Sequence, residues 1–458
     1  MPTAIKPRER KAILQSLRAG VVPRIGLEHI QVGRKDEVAA IIRDLEGISQ
    51  EGSSIRFVIG RFGTGKSFFL NLSRILALEE QFVVVQADIT PDRRLHATAG
   101  QARGLYAELM RNLAVRSKPE GGALAAVVEK WVSNLDQELR KNGATDADVM
   151  SAIPDRLAPL QDMVSGFDFA LAVRKYFEGF QTNTDSLTSS AIRWLRAEYS
   201  TKSEARADLG VRNIIDDQNI YDYLKLMAKF VKMAGYAGLL VNLDEMGVLS
   251  HRLNNSQARN ANYEMILRIV NDCLQGSVSG LGFLFAGTDS FLDDKRRGLA
   301  SYEALATRLA DNTFATAGVR DMSGPVIRLS NLSPEDLYVL LHNIRHVFAL
   351  GDQSKYLVPD EAIKAFMERC SKVLGADFFS TPRDAVKSFV GFLSVLEQNP
   401  SLGWQALLEQ THLEVTPTVE AEPGVDAVET GSTKTEAKEE GEPPTKAQDG
   451  DELATFRI

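Results

Sequence analysis

The chain has 458 residues, of which 44% are hydrophobic and 25% charged, an ordinary composition for a globular protein of roughly two to four domains. No stretch approaches the roughly 18 uninterrupted apolar residues of a membrane span, and the first ten residues lack the apolar block of a signal peptide. These absences exclude the membrane-spanning class and predict a cytoplasmic protein without membrane contact.

The formal net charge of −8 is concentrated at one end of the sequence. Residues 416–458 contain eleven acidic and four basic side chains, a net charge of −7, so the rest of the chain carries only −1. This segment is rich in Pro, Glu, Thr, Lys and Gly and has almost no large apolar side chain before Phe456. Because such a composition buries too little apolar surface to offset the entropy cost of ordering, it predicts a disordered acidic tail over 413–458.

Two helices are predicted at the start of the chain. Residues 8–19 have one apolar face and are followed by Gly20, the residue type that most often follows a helix. Residues 38–45 have a similar apolar spacing. Directly before this second helix lies the short element V-G-R-K-D-E, at 32–37.

Residues 60–67 spell G-R-F-G-T-G-K-S and match G-x-x-x-x-G-K-[ST], the phosphate-binding P-loop pattern. An apolar run ends just before it and an amphipathic run begins just after it, so the pattern has the strand and the helix that it requires. The glycines Gly60, Gly63 and Gly65 let the backbone curl with its N–H groups, including that of Thr64, pointing inward at a polyphosphate.

The last two residues of the pattern carry the charge and the hydroxyl. Lys66 is expected to reach the β and γ phosphates, and the Ser67 hydroxyl is placed for Mg²⁺. A Gly-rich turn that matches by chance is the alternative, which the flanking strand and helix disfavour. The sequence therefore predicts binding of ATP and Mg²⁺.

Two apolar runs, 82–88 and 238–245, predict buried parallel strands. The second run ends in Asp244 and Glu245, a carboxylate pair at the edge where open α/β sheets bind ligands. Asp244 could hold Mg²⁺ through water, and Glu245 could orient and polarise an attacking water. Two solvated acids at the end of a strand are the alternative interpretation.

Further strands and helices follow this pair. Residues 282–289 form another apolar run that ends in polar residues, Thr288 and Asp289. Residues 302–309 then place Arg308 in an otherwise apolar helix, ahead of a strand at 325–329.

From Ser333 onwards the sequence predicts helices only. Residues 333–336, S-P-E-D, combine an N-cap, a first-turn proline and two first-turn acids, which together indicate a helix start. Helices are expected at 336–349, 359–374 and 383–397, with one short helix around 404–408. This size and order are typical of a helical lid.

A span of some 140 residues, about 95–235, separates the second strand from the carboxylate pair. Much of it is helical, and its apolar residues between Leu124 and Leu139 form one continuous face that must pack on something. The span contains eighteen basic and eighteen acidic residues, so it lacks the positive field of a dedicated nucleic-acid binder. Five bases do gather locally, and a solvated helical face is the favoured interpretation of Arg193, Arg196, Lys202, Arg206 and Arg212.

The motifs V-G-R-x-x-E, G-R-F-G-T-G-K-S, L-L-V-N-L-D-E, F-A-G-T-D, L-S-P-E-D-L and T-P-R-D-A occur in this order. The first of these motifs, V-G-R-x-x-E, resembles the N-terminal lead-in to the P-loop in AAA+ ATPases of the replication-initiator (Orc/Cdc6) kind. The whole set, with its large helical insertion, resembles the ATP-binding proteins of bacterial BREX phage-defence loci, the BrxD-like group. The resemblance covers roughly residues 8–410. An Orc/Cdc6 protein carries a winged-helix domain after the lid, whereas here only a short helix and the acidic tail follow, which argues against DNA binding through a C-terminal wing.

The resemblance implies roles on the nucleotide's base and γ-phosphate. Gly33 and Arg34 would lie near the adenine, although a polar turn between two helices is the alternative. The strand with L-L-V-N-L-D-E would be a Walker B motif. Thr288 would be the sensor-1 residue at the tip of its strand, with Asp289 as the next candidate.

The resemblance also implies two functional arginines. Arg308 would be the arginine finger that acts on a neighbour's nucleotide, with Arg320 in reserve and a surface arginine as the alternative. Arg383, in T-P-R-D-A, would be the sensor-2 arginine that reaches back to the γ-phosphate in its own subunit. Packing of its stem against the lid is the alternative.

The expected fold class is α/β, a P-loop NTPase (AAA+-like) parallel sheet with a large helical insertion, a helical lid and an acidic tail. The expected domains are 1–46 (N-terminal helices and adenine-side lead-in), 47–330 (ATPase core), 331–412 (lid) and 413–458 (tail). The expected function is an ATPase that uses nucleotide-dependent self-assembly, together with other defence proteins, against phage. The alternatives are a slow-turnover signalling or scaffold switch and a DNA-binding loader.

Overall fold

The computed structural model describes residues 5–314, 321–374 and 382–410. The acidic tail, Arg320 and the Thr381 that opens the T-P-R-D-A motif lie outside these ranges. Among the described helices, none combines the length and the apolar character needed to span a membrane.

The described residues contain a sheet of five strands: β1 (Ser53–Ile59), β2 (Val83–Asp88), β3 (Leu239–Asp244), β4 (Leu281–Gly287) and β5 (Val326–Arg328). Their order across the sheet is β2-β3-β4-β1-β5, and every neighbouring pair is parallel. The described strands lie within two residues of the predicted apolar runs, which are 55–59 before the P-loop, 82–88, 238–245, 282–289 and 325–329. These observations confirm the α/β class and the parallel sheet.

Helices fill most of the remaining chain. In order, they are α1 (Pro7–Arg18), α2 (Lys35–Ser49), α3 (Lys66–Glu79), α4 (Gln101–Arg111), α5 (Leu124–Lys141), α6 (Asp146–Gln161), α7 (Gly166–Gln181), α8 (Asp185–Leu195), α9 (Lys202–Leu209), α10 (Ile220–Met233), α11 (Gly247–His251), α12 (Ser256–Leu274), α13 (Asp289–Asp293), α14 (Glu303–Arg308), α15 (Pro334–Phe348), α16 (Asp360–Leu374), α17 (Pro382–Gln398) and α18 (Trp404–Gln410). Those of the predicted insertion, α4 to α10, lie between β2 and β3.

Both faces of the sheet are buried, which explains why its strands are near-continuous apolar runs. One face, with Val58 and Leu240, packs on α2 and α3. The other, with Phe57 and Val241, packs on α12 and on the insertion helices. Because the strands are parallel, the loops that follow them open at one edge, the carboxyl edge, where the predicted site residues lie.

The predicted apolar face of α5 packs inside the insertion itself. Trp131 of α5 lies 5.9 Å from Phe230 of α10, centroid to centroid, and Phe230 also contacts Phe169 of α7. Arg193 belongs to the local group of basic residues noted in the sequence, and it forms an ion pair of 2.6 Å with Glu204. The insertion is thus a compact helical layer on one face of the sheet.

The lid has its own apolar core, built from α15, α16, α17 and α18. Helix α1 belongs to this core, because its buried Ile13 and Leu14 join the same cluster. Arg10 secures the packing: its Nε donates to the Phe348 carbonyl at 2.7 Å and its Nη2 to Glu397 at 2.8 Å. The predicted N-terminal segment 1–46 therefore contributes α1 to the lid core and α2 to the sheet.

Candidate active site at the carboxyl edge of the sheet

The P-loop connects β1 to α3, and its glycines are where the backbone needs them. Gly63 and Gly65 have φ angles of 81° and 94°, in the left-handed region that favours glycine. A Cβ on Gly60 would lie 2.7 Å from Thr64 Oγ1 and 3.1 Å from the Leu329 carbonyl oxygen, so a larger residue would have to displace these neighbours. The loop is thus held tightly between the end of β1 and the start of α3.

Ser67 and Asp244 are in direct contact at this edge. The Ser67 hydroxyl donates to Asp244 Oδ2 at 2.6 Å, across the gap between α3 and β3. Asp244 Oδ1 accepts from the Glu245 backbone N–H at 2.8 Å, which fixes the orientation of the carboxylate. The two predicted Mg²⁺ ligands, far apart in sequence, therefore lie side by side.

Three carboxyl groups crowd this edge. Asp88 ends β2 and is the register partner of Asp244 on β3, and Glu245 follows directly. Desolvation, and then repulsion by Asp244, raises the pKa of both Asp88 and Glu245. Glu245 also has a φ of 57°, an uncommon conformation for a non-glycine residue. The edge is therefore a strained, electronegative site.

Lys66 lies among these acids. Its Nζ donates to the carbonyls of Gly60 and Arg61, both at 2.8 Å. Burial lowers the pKa of Lys66, against the opposing attraction of Asp244 and Glu245. The ammonium group is therefore held inside the loop by backbone oxygens, within the field of the carboxylates.

The V-G-R-x-x-E lead-in contacts the P-loop. Arg34 donates from Nη2 to the Thr64 carbonyl at 3.1 Å, and its Nη1 lies 3.6 Å from Glu37 Oε1. Glu37 is 2% exposed. A Cβ on Gly33 would lie 3.4 Å from Asp336 Oδ2 of α15. The motif thus connects the P-loop with the start of the lid.

Thr288 follows β4 and caps α13. Its Oγ1 accepts from the Phe291 N–H at 3.3 Å and is 2.9 Å from Ser290 Oγ, which in turn is 3.0 Å from His251 Nε2. The backbone of β4 is tied to the P-loop, since the Gly60 N–H donates to the Gly287 carbonyl at 3.2 Å. Thr288 therefore lies at the carboxyl edge, one strand away from Asp244.

Arg308, the last residue of α14, is held within its own chain. Its Nε donates to Asn271 Oδ1 of α12 at 2.7 Å and its Nη1 to the Ala304 carbonyl at 2.9 Å. Among the described residues, Arg308 does not line the cleft that contains Lys66. The structure therefore does not bring Arg308 to the P-loop of the same subunit.

A cleft opens between the P-loop and the lid, and Arg383 lies on its lid side. Its described lining is Leu17, Gly20, Val21, Val22, Pro23, Ile30, Val32, Arg34, Phe62, Gly63, Thr64, Gly65, Lys66, Ser67, Phe68, Phe69, Asp244, Glu245, Leu332, Leu340, Pro382, Arg383 and Val386. Its apolar members come mostly from the end of α1, the loop that follows α1, and the lid, and its charged members are Arg34, Lys66, Asp244, Glu245 and Arg383. This mixture of apolar and charged side chains is typical of a small-molecule binding site.

The residues present fit both predicted cofactors. For Mg²⁺, the structure offers the adjacent oxygens of Ser67 and Asp244. Residues 5–314, 321–374 and 382–410 contain no group of three or more His, Cys, Asp or Glu side chains that could hold a metal ion. This suits Mg²⁺, which usually keeps several waters and takes few protein ligands beside substrate phosphates. For a polyphosphate, Lys66 and Arg383 line the same cleft and repel each other, and an anion would relieve that repulsion.

Comparison with known protein families decides the family. The model of the BREX system ATP-binding protein BrxC/D family matches residues 5–412. The chain belongs to this family. No curated protein matches the chain. Membership in the BrxC/D family implies an ATP-binding role in a BREX system, and it confirms the resemblance to the BREX ATP-binding proteins. The resemblance of the V-G-R-x-x-E element to Orc/Cdc6 proteins stays a prediction.

Sequence reasoning missed several members of the cleft and one carboxylate of the adjoining sheet edge, Asp88. The end of α1 and the loop that follows it line the cleft because α1 packs on the lid. No local sequence pattern predicts this packing. Phe62 occupies a position that the P-loop pattern leaves open. Asp88 did carry a signal, because it ends an apolar strand just as Asp244 does, and adjacent parallel strands place their ends together.

Proposed function

We propose that this BrxC/D family protein binds ATP with Mg²⁺ in the cleft between the P-loop and the lid and hydrolyses it. We further propose that the bound nucleotide controls self-assembly in a BREX-type defence against phage. The observation that carries the proposal is the 2.6 Å contact between Ser67 and Asp244, beside Lys66 and Glu245. It supports the proposal because a loop that matches the phosphate-binding pattern, a hydroxyl and a carboxylate of the kind that Mg²⁺ prefers, and a second carboxylate lie at one sheet edge.

Each residue then has a defined task. The P-loop N–H groups and Lys66 bind the phosphates, and Ser67 and Asp244 hold Mg²⁺. When bound, Mg²⁺ supplies a Lewis acid that neutralises negative charge on the phosphate oxygens. Glu245 orients and polarises the attacking water, and Thr288 contacts the γ-phosphate region from the end of β4.

The arginines act from two directions in this proposal. Arg383 reaches the γ-phosphate from the lid of the same subunit. Arg308, held by Asn271 and outside the cleft, acts on the nucleotide of a neighbour. An isolated subunit then lacks its transition-state arginine, so turnover is slow until copies assemble.

The same placement of Arg308 favours the second candidate function, a slow-turnover nucleotide switch that acts by its bound state. A DNA loader receives no comparable support, since the insertion has balanced charge and Arg193 pairs with Glu204. Turnover that rises steeply on adding duplex DNA, and falls with salt, would favour the loader instead.

The test is to compare ATP binding and single-turnover hydrolysis by the wild type and Glu245→Gln. The variant keeps the Mg²⁺ carboxylate at Asp244 and loses the group that polarises water. We therefore expect it to bind ATP as the wild type does and to release phosphate far more slowly. Equal phosphate release by the two proteins would show that Glu245 has no part in hydrolysis. If both proteins bind ATP and neither releases phosphate, the slow-turnover switch is favoured.

A further inference from the structure

Phe62 is an exposed aromatic residue inside the P-loop. The phosphate-binding pattern requires glycine, lysine and serine or threonine at fixed positions and leaves this position open. Its side chain is 45% exposed. The Cζ atom of Arg383 lies 4.5 Å from the centre of the Phe62 ring, a cation–π contact between the lid and the P-loop.

The stem of Arg383 also contacts Gly20. A Cβ on Gly20 would lie 3.6 Å from Arg383 Cδ and 3.7 Å from Cγ, so the stem packs directly on this glycine. Gly20 follows α1 and has a φ of 71°. The Arg383 side chain therefore contacts both the end of α1 and the ring of Phe62.

The contact places two cations in one cleft. Lys66 and Arg383 both line this cleft, and their like charges repel each other. Among the described residues, the ion pairs found do not include one between Arg383 and a carboxylate. The face of a phenyl ring is the negative part of its quadrupole and attracts a guanidinium group. Phe62 thus offers Arg383 an attraction that offsets the repulsion from Lys66.

We propose that Phe62 is a positioning residue that holds Arg383 beside the P-loop before a nucleotide enters the cleft. The inference rests on the proposed function, because it concerns how the lid engages the same phosphate site. A lid arginine that is already in place loses less conformational freedom on binding, so preorganisation increases affinity for a ligand with a terminal phosphate. Phe62 then acts through Arg383 and makes no contact of its own with the reacting atoms.

The first experiment is a double-mutant cycle on binding of the β,γ-imido analogue of ATP with Mg²⁺, measured by calorimetry. An exposed cation–π contact corresponds to about a two- to five-fold change in an equilibrium constant. We expect Phe62→Leu to weaken binding by about this factor and Phe62→Tyr to retain it. In an Arg383→Gln background, Phe62→Leu should change the affinity little, because its partner is gone. The same loss in that background would overturn the proposal.

Phe167 provides a matched control. It is 51% exposed and carries Arg212 over its ring at 5.2 Å, outside the nucleotide cleft. Phe167→Leu should leave the analogue's affinity unchanged. A loss equal to that of Phe62→Leu would show a general effect of removing an exposed ring and would contradict the role assigned to Phe62.

A second readout needs no nucleotide and separates this inference from the proposed function. In nucleotide-free protein, Phe62→Leu should increase hydrogen exchange of the amides in the first two turns of α17, because Arg383 lies at that helix start. Unchanged exchange there would overturn the inference even if the wild type binds ATP. The converse result is that the wild type binds no ATP while Phe62→Leu still increases this exchange. That result would refute the proposed function and would still support the contact between Phe62 and Arg383.

Discussion

Arg34 connects the lead-in to the P-loop through a hydrogen bond from its Nη2 to the carbonyl oxygen of Thr64, at 3.1 Å. Arg34 has a φ of 62° and precedes α2, so its backbone turns sharply to direct the side chain. Its Nη1 lies 3.6 Å from the buried carboxylate of Glu37. Arg34, oriented by Glu37, thus stabilises the P-loop backbone at Thr64.

Arg34→Ala should therefore reduce both stability and nucleotide affinity. We expect the free energy of unfolding to fall by about 1–3 kcal/mol, because the buried Glu37 loses a charged neighbour and Thr64 loses a donor. Adding Glu37→Gln removes the buried charge and should restore part of the stability but not the affinity. Denaturant unfolding and ATP titration measure the two effects. Wild-type affinity in a folded Arg34→Ala protein would show that the hydrogen bond from Arg34 to Thr64 is not needed for nucleotide binding by the P-loop.

Ser67→Ala should raise the Mg²⁺ requirement. The substitution removes the hydroxyl that contacts Asp244, and loss of such a partner typically costs about tenfold or more in metal affinity. We expect the Mg²⁺ concentration for half-maximal ATP binding to rise by about this factor. Ser67→Thr is the matched control, since the P-loop pattern accepts threonine and the hydroxyl is kept. An equal shift in both variants would argue against a metal role for the hydroxyl.

Glu245 should destabilise the nucleotide-free protein at neutral pH. Desolvation and Asp244 raise its pKa in the folded state above that in the unfolded state, so ionising it costs more in the folded protein. Glu245→Gln should therefore raise the free energy of unfolding at neutral pH. The gain should decrease as pH falls through the raised pKa, and vanish below the pKa of an ordinary glutamate, where both states hold the proton.

Denaturant unfolding at several pH values checks this expectation. Glu46→Gln, on an exposed position of α2, is the control for the amide substitution itself. A gain in stability that is independent of pH, or that also appears in Glu46→Gln, would contradict the electrostatic origin.

Arg308→Ala and Glu245→Gln should rescue each other if Arg308 acts on a neighbour. Each variant should bind ATP, and each should lose turnover, by about 10³-fold or more for the missing arginine. In mixed oligomers, some interfaces combine an intact Glu245 with an intact Arg308 from the next subunit, so phosphate release should return. Arg206→Ala, at an exposed position of the insertion, should keep wild-type turnover and serves as the control.

Arg383→Ala provides the negative counterpart of this experiment. Mixed with Glu245→Gln it should not recover, because both defects then affect the nucleotide of their own subunit. If the Arg308 mixture stays inactive although native mass spectrometry shows mixed oligomers, the assignment in trans is wrong. The better interpretation is then either Arg320, which lies outside the described residues, or no arginine finger at all.

The elements of the carboxyl edge could be predicted because their signals are local. The P-loop, β3 and β4 are short segments whose apolar runs end in residues of known chemistry, and buried parallel strands admit few other interpretations. The contact between Ser67 and Asp244 follows once both segments are placed in one sheet.

The packing of distant segments could not be predicted in the same way. Helix α1 reads as an ordinary amphipathic helix, and nothing in its pattern shows that Ile13 packs on the lid rather than on the sheet. The pairing of Phe62 with Arg383 joins residues more than 300 positions apart and depends on the lid's orientation. Such contacts arise from tertiary packing, which amphipathic spacing alone does not specify.

The central claim is that the P-loop cleft binds ATP, and calorimetric titration of the wild type and Lys66→Ala with ATP and Mg²⁺ tests it most directly. Lys118→Ala is the matched control, because Lys118 Nζ also donates to a loop carbonyl, that of Gly122 at 3.0 Å, away from the cleft. We predict one site per chain in the wild type and in Lys118→Ala, and no binding by Lys66→Ala with an unchanged circular dichroism spectrum. Wild-type affinity in a folded Lys66→Ala protein would contradict the claim.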